Sequence, residues 1–186
     1  MSNFHDGDLH DHQLGKEMRL WKGRIADRRG REFSELVAER LTELGWQTQT
    51  EVADTKILRK GFDRDYGDVD VLAWHVSGRV LLLECKDVQY RKTYGEVAEQ
   101  LADFRGEMRS NGKRDYLLRH MDRISVLSEH SADVGSYLGL EGGAHLEGHL
   151  VFRNQVPMTF AKQRIAQQVP IHILSELKAT FEINQV

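Results

Sequence analysis

Two short apolar segments separated by a tight turn constrain the fold of this chain more than any other feature. Residues 69–76 and 80–86 are apolar through their middles on both alternating sets of side chains. Central strands of a sheet that is covered on two sides have this composition. The small residues Ser77-Gly78 stand between the segments, so we predict two neighbouring strands joined by a hairpin.

The length of the hairpin loop decides which side chains of the two strands share a face. A two-residue loop would pair Asp70 with Cys85, whereas a three-residue loop that begins at Val76 would pair Asp70 with Glu84. Three-residue loops favour a glycine in the left-handed conformation at their last position, and Gly78 stands there. We therefore predict the three-residue loop, which places the two carboxylates on one face with Cβ atoms about 5 Å apart.

The rest of the chain alternates amphipathic helices with short strands. We predict helices at 14–26, 28–44, 95–109, 115–128, 131–140 and from 175, strands at 46–52, 146–152 and 169–173, a candidate strand at 157–160 and a basic loop at 54–66. This order predicts a mixed α/β fold, with a small sheet flanked by helices. We divide the chain into a polar N-terminal extension with a candidate lead-in helix, residues 1–27, and one domain, residues 28–186.

Acidic residues and a lysine stand near one end of the two central strands. Glu84 and Lys86 are two residues apart and share a strand face, and the predicted register adds Asp70. Two neighbouring carboxylates repel each other unless a cation lies between them. Mg²⁺ or Mn²⁺ suits such an oxygen site, with the backbone carbonyl of Cys85 as a third ligand. Asp68 is either a supporting acid or a solvated strand start.

This arrangement suits phosphodiester hydrolysis. The reaction needs a water made nucleophilic and stabilisation of the charge that develops on phosphorus, and a divalent ion supplies both. The ammonium of Lys86 can orient the water or stabilise that charge. The site offers no evident nucleophile of its own, because Cys85 is expected to be a small buried residue. His120 lies on the apolar face of its helix and is expected to be a buried core histidine.

At these residues the sequence resembles the PD-(D/E)XK (restriction-endonuclease-like) nuclease superfamily. Val69-Asp70 stands where the signature has Pro-Asp, and Glu84-Cys85-Lys86 stands for (D/E)-x-K. The resemblance covers residues 28–152 and is nearest to Holliday-junction resolvases and nucleases that cleave modified DNA. It implies a restriction-endonuclease-like core in the order αβββαβ, cleavage of DNA with Mg²⁺ or Mn²⁺, and often a homodimer.

The resemblance also implies two further site residues. The first helix of the superfamily commonly contributes a glutamate to the metal site. Ser34 stands in that position here, so the adjacent Glu35 is our candidate, with Glu32 two residues before Ser34. Some members use a glutamine on the helix after the lysine strand, and Gln100 matches it in place, although a surface glutamine fits equally well.

Charge and composition add expectations about partners and location. The net charge of −3 does not favour nucleic acid globally, so contacts with DNA must come from local patches. The single cysteine, the absence of a leader and the lack of an apolar run long enough for a bilayer predict a cytoplasmic protein without a membrane segment. We predict that basic residues of two loops contact phosphates: Lys56, Arg59, Lys60, Arg64, Arg91 and Lys92. For each of them, a place in an ordinary solvated loop is the alternative.

Three functions remain open from the sequence. A metal-dependent DNA endonuclease accounts for Asp70, Glu84 and Lys86 together. A catalytically inactive module of nuclease fold, which binds nucleic acid or a protein partner, accounts for the missing first-helix glutamate. An unrelated α/β interaction domain accounts for the acidic net charge.

Overall fold

A five-stranded mixed sheet forms the centre of the structure, a computed structural model that describes residues 15–59, 66–89, 91, 93–141, 143–160 and 169–183. The strands are β1 (Gln47–Ala53), β2 (Asp68–Trp74), β3 (Arg79–Lys86), β4 (His145–Phe152) and β5 (Ile171–Ile173). They lie side by side in the order β1-β2-β3-β4-β5. β1 pairs with β2 and β2 with β3 in antiparallel orientation, whereas β4 and β5 continue the sheet in parallel with β3. The predicted mixed α/β class is confirmed.

Helices cover both faces of this sheet. They are α1 (Lys16–Glu43), α2 (Asp54–Leu58), α3 (Tyr94–Ala102), α4 (Tyr116–Glu129), α5 (Ser131–Leu138), α6 (Pro157–Phe160) and α7 (Leu177–Phe181), with a 3₁₀ turn at Leu174–Glu176. One face packs its apolar side chains against α1 and α7, and the other packs against α3, α4 and α5. None of the helices in the described ranges is long and apolar enough to cross a bilayer.

The hairpin between β2 and β3 has the predicted three-residue loop. Val71 pairs with Leu83 in the ladder. At the turn, the His75 N–H donates to the Arg79 carbonyl at 3.0 Å, and the Gly78 N–H donates to the His75 carbonyl at 3.0 Å. Gly78 has φ of 87°, the left-handed conformation that glycine adopts without steric cost. The predicted register is therefore confirmed.

The two helices predicted at 14–26 and 28–44 are a single helix. α1 runs without a break from Lys16 to Glu43, so the boundary drawn at residue 28 falls inside it. Only the second half of α1 is buried, from Phe33 to Leu41. The first half lies mostly in solvent, although its apolar spacing had suggested that it packs on the domain.

Three segments differ from the sequence expectations. The segment predicted as a basic loop at 54–66 opens with helix α2, and residues 60–65 lie outside the described part. The segment predicted as a strand at 157–160 is the short helix α6, because Pro157 occupies the first helical position, where its fixed φ is favourable. The helix predicted at 95–109 ends earlier, at Ala102.

Helix α4 packs closely against the sheet at Gly148 of β4. A Cβ added at Gly148 would overlap Cδ1 of Ile124 and lie 2.7 Å from its Cγ1. Glycine at this position therefore allows α4 to sit against β4, and α4 carries residues of the candidate site described below.

We expect Gly148→Ala to destabilise the protein by about 1–3 kcal/mol, because α4 must move away from β4 to admit the methyl group. Ile124→Val removes the atom that the methyl would overlap, so the double variant should recover part of the loss. Urea unfolding monitored by circular dichroism measures both changes. Gly23→Ala is the control, since no atom lies within 4 Å of its added Cβ. Equal stability of Gly148→Ala and the wild type would contradict this packing.

Candidate functional site

Asp70, Glu84 and Lys86, hereafter the triplet, lie together on the sheet face that α4 covers. The Lys86 Nζ is 2.6 Å from Glu84 Oε1 and 3.9 Å from Asp70 Oδ2. Cys85 lies on the opposite face, in the core cluster under α1. The confirmed register, continued by one residue, places Asp70 opposite Glu84. That position falls between hydrogen-bonded pairs of the ladder, where facing side chains are closest.

The side chain of Asp70 completes the ladder between β2 and β3. Regular pairing ends at Val71 and Leu83. The next inward-facing N–H, that of Cys85, donates to Asp70 Oδ2 at 2.7 Å instead of to a backbone carbonyl. In a strand the N–H and C=O of one residue point to the same side. The Cys85 carbonyl therefore also faces the edge of β2 where Asp70 stands, as its predicted role requires.

Glu84 is a buried carboxylate held between two cations. Lys86 contacts one of its oxygens, and the Arg123 Nη1 of α4 donates to the other, Oε2, at 2.7 Å. The Arg123 Nε also donates to the Tyr66 carbonyl at 3.1 Å, which links α4 to the start of β2. Burial alone would raise the pKa of Glu84, but Lys86 and Arg123 outweigh it and lower the pKa to about 2. Glu84 is therefore ionised throughout the physiological range.

The environment of Asp70 raises the pKa of its carboxyl group, whereas that of Glu84 is lowered. Burial, followed by the neighbouring charge of Glu84, raises the pKa of Asp70 to about 7 from its ordinary value of 3.8. Lys86 and the Cys85 N–H offset this only in part. Burial favours the neutral form of Lys86, but Glu84 and Asp70 outweigh it and raise the pKa of Lys86. The negative charge at Asp70 is thus the least compensated charge of the triplet.

A further charged residue, Glu51 of β1, interacts electrostatically with Lys86. It occupies the position opposite Asp70, between the pairs Thr50–Val71 and Val52–Val69. Its φ of 52° is unusual for a residue other than glycine, and such strained conformations concentrate at functional sites. Burial and Asp68 raise the pKa of Glu51, while Arg31, Ser34 and Lys86 lower it. Glu51 is therefore linked electrostatically to Lys86, and also to Asp68 and to Arg31 and Ser34 of α1.

Within the described ranges, no group of three or more His, Cys, Asp or Glu residues is arranged to hold a metal ion. A divalent ion at the triplet would depend on the two carboxylates, the Cys85 carbonyl and waters. Mg²⁺ accepts such a set, because it commonly keeps several waters and binds one or two carboxylates.

Residues 5–177 match the model of a protein family described as "anti-phage protein Upx-like". The chain belongs to this Upx-like family. No curated protein and no solved structure matches the chain. Because the match includes all of α1 and all of the triplet, the region that the Upx-like family defines contains both, and the family description suggests a function in phage defence.

The predicted first-helix acid does not lie where the resemblance placed it. Glu35 is on the exposed side of α1, while Ser34 is buried, with its hydroxyl near Glu51 and Cys85. In this Upx-like chain an acid that interacts electrostatically with Lys86 is Glu51, which comes from β1 and not from the helix. Consecutive residues of an α-helix point about 100° apart, so a shift of one residue in the alignment exchanges the buried Ser34 for the exposed Glu35.

Gln100 is buried rather than exposed, and its Nε2 donates to the Gln89 carbonyl at 2.9 Å. It therefore holds the segment that follows Lys86. Asp68 is exposed at the start of β2. His120 is buried, as predicted, with Nδ1 3.8 Å from Glu84 Oε2, and burial lowers its pKa to about 4, so it is neutral at pH 7.

The structure describes three of the six residues that were predicted to contact phosphates. Lys56, Arg59 and Arg91 are exposed, whereas Lys60, Arg64 and Lys92 lie outside the described residues. A basic group that the sequence analysis missed lies next to the triplet: the ring of Tyr116 is 5.3 Å from the Lys86 Nζ and 4.8 Å from the guanidinium carbon of the exposed Arg119.

Arg123 was also missed, although the sequence carried a signal for it. Apolar residues of α4 recur at Leu117, Ile124 and Leu127. Residues that are three or four positions apart on a helix share a face. Arg123 lies four residues before Leu127, so the helix period alone places a cation on the buried side.

We expect Asp70→Asn to stabilise the protein at pH 8 more than at pH 5, in buffer with EDTA. The folded pKa is raised, so the stability that the protonated group contributes is present below about pH 4 and is lost as pH rises through 7. Asparagine stays neutral and keeps an oxygen that can accept the Cys85 N–H. Thermal unfolding at the two pH values measures the difference.

The matched control for this experiment is Asp68→Asn, which removes an exposed carboxylate two residues away. It should show no comparable dependence on pH. Loss of stability in Asp70→Asn that is the same at pH 5 and pH 8 would contradict the account of Asp70.

Proposed function

We propose that this chain is a metal-dependent nuclease with a restriction-endonuclease-like core, which hydrolyses phosphodiester bonds of DNA in the cytoplasm as part of phage defence. The observation that carries the proposal is the triplet: two carboxylates of neighbouring strands face each other, with the Lys86 Nζ within 4 Å of both. The order α1, three strands, helices, β4 also fits the αβββαβ order of that superfamily.

Asp70, Glu84 and the Cys85 carbonyl are the residues that would hold Mg²⁺ or Mn²⁺. The charge balance supports this assignment, because Asp70 has one oxygen engaged with a backbone N–H and its charge is only partly compensated. A bound cation would remove the repulsion between the two carboxylates. When bound, the ion would act as a Lewis acid on the phosphate and make a coordinated water more acidic.

The remaining residues have roles that follow from their contacts. Lys86 is held by Glu84 at 2.6 Å and can orient the attacking water or stabilise charge on phosphorus. Arg123 is a positioning residue, because it fixes Glu84 from α4 and does not face solvent. Arg119 is exposed, and its guanidinium lies near the same Tyr116 ring as the ammonium of Lys86. It is suited to contact a phosphate of the substrate.

A second function, an inactive module that binds nucleic acid or protein, is favoured by one observation. Both oxygens of Glu84 are occupied by cations of the protein itself, as in a buried ion pair that serves only the fold. The buried Ser34 in the position of the first-helix acid points the same way. In this reading the chain lacks hydrolytic activity and Glu84 never contacts a metal.

Incubation with DNA and either Mg²⁺ or Mn²⁺ separates the two functions. Suitable substrates are supercoiled plasmid, linear duplex, a four-way junction and phage DNA with modified bases. We expect the wild type to cleave at least one of them, and Asp70→Asn or Lys86→Met to lower the rate by about 10²–10³-fold. Asp68→Asn and Lys178→Met are matched controls at exposed residues and should stay near wild type.

The same assay distinguishes Glu51 from Glu35, the acid that the sequence predicted. Glu51→Gln should lower the rate about tenfold or more, whereas Glu35→Gln on the exposed side of α1 should leave it unchanged. If the wild type cleaves none of these substrates better than Asp70→Asn, the nuclease function is rejected and the inactive module is the better account.

A further inference from the structure

The first half of α1 extends beyond the body of the protein. We call residues 16–28 the α1 arm. The first firm anchor after the arm is Arg29, whose Nε lies 3.2 Å from Asp87 Oδ2, and burial begins at Phe33. Within the arm only Lys22 and Ile25 are part-buried, and the other side chains are exposed. At the helical rise of 1.5 Å per residue the arm is about 18 Å long.

The arm extends past the end of the sheet that carries the triplet. At the other end of α1, the following residue Trp46 lies against the hairpin loop, 6.1 Å from the His75 ring and 5.3 Å from the Arg79 guanidinium carbon. Arg29 pairs with Asp87, the residue after Lys86. α1 therefore runs antiparallel to β3, and its overhanging half begins beside the end of β3 where Lys86 stands.

The arm and the turn that follows it are strongly basic. Residues 16–31 contain seven basic residues and two acidic ones, whereas the whole chain carries a net charge of −3. The basic residues surround the helix: Arg19 and Arg28 are nine residues apart, which is two and a half turns, so they lie on opposite sides. The arm also exposes the large apolar side chains of Met18, Leu20 and Trp21.

We infer that the α1 arm binds the phosphate backbone of duplex DNA at the end of the sheet where Lys86 stands, on the face opposite to α4. This inference rests on the proposed function for its choice of partner. Phosphate contacts by Lys and Arg supply most of the sequence-independent affinity for DNA, and a basic helix that overhangs the end of the sheet would hold a duplex across that end. A helix that lies on a membrane segregates its basic residues on one side, whereas those of the arm are on all sides.

Binding of a fluorescein-labelled 25-base-pair duplex, measured by anisotropy in EDTA, tests the inference without cleavage. The variant is Arg19→Glu/Arg24→Glu, which reverses two exposed charges of the arm. The control is Arg40→Glu/Lys178→Glu, which makes the same change of net charge at exposed residues near the other end of α1. Circular dichroism confirms that both variants are folded.

We expect the arm variant to weaken binding by at least tenfold at 50 mM salt. It should also lower the slope of log affinity against log salt by about 2, since each phosphate contact contributes about 0.9. The control should bind within about twofold of wild type. Equal weakening in both variants, no weakening in the arm variant, or wild-type binding to phosphatidylserine vesicles but not to DNA overturns the inference.

The outcomes for the arm and for the nuclease are distinguishable. Loss of DNA binding in the arm variant together with absence of cleavage by the wild type supports the arm and rejects the nuclease. Cleavage by the wild type together with unchanged binding in the arm variant rejects the arm alone.

Discussion

The buried charge of Glu84 is the constraint on which the rest of the structure depends. A carboxylate without partners in a protein interior costs several kcal/mol, so its two cations are required by the fold. Lys86 is supplied by the same strand, but Arg123 must come from α4, and Arg123 also holds the Tyr66 carbonyl at the start of β2. The position of α4 over the sheet, the close approach at Gly148 and the start of β2 therefore depend on one ionised side chain.

Asp70 and Glu84 face each other but differ in how far their charges are compensated. Two cations lower the pKa of Glu84 to about 2, whereas burial and Glu84 itself raise the pKa of Asp70 to about 7. Paired titratable groups whose environments separate their pKa values are a common feature of catalytic sites. Glu84 thus has a structural role whether or not the site is catalytic. Asp70, whose charge is less compensated, is the better candidate for a functional role. Membership of an anti-phage family is consistent with a site that acts on nucleic acid, although the family description alone specifies no chemistry.

The sequence predicted the hairpin, its register and the triplet because these depend on local rules. Gly78 selected the loop length, the loop selected the register, and the register brought Asp70 to Glu84. Contacts that depend on tertiary packing were not predictable in the same way. Arg123 comes from a helix 39 residues away from Glu84, and Glu51 has a left-handed backbone conformation that no residue preference indicates. The continuity of α1 across residue 27 was missed because the apolar spacing of its first half suggested packing that the fold does not provide.

Titration of Mn²⁺ into the purified protein, by calorimetry or by loss of the free-ion paramagnetic resonance signal, tests the central claim most directly. If Asp70 and Glu84 form a cation site, the wild type binds Mn²⁺ at one saturable site, Asp70→Asn weakens that binding by about 10–100-fold, and the exposed neighbour Asp68→Asn does not. Absence of saturable binding at millimolar Mn²⁺, or equal affinity in the wild type and Asp70→Asn, would contradict the account and leave the triplet as a structural ion pair.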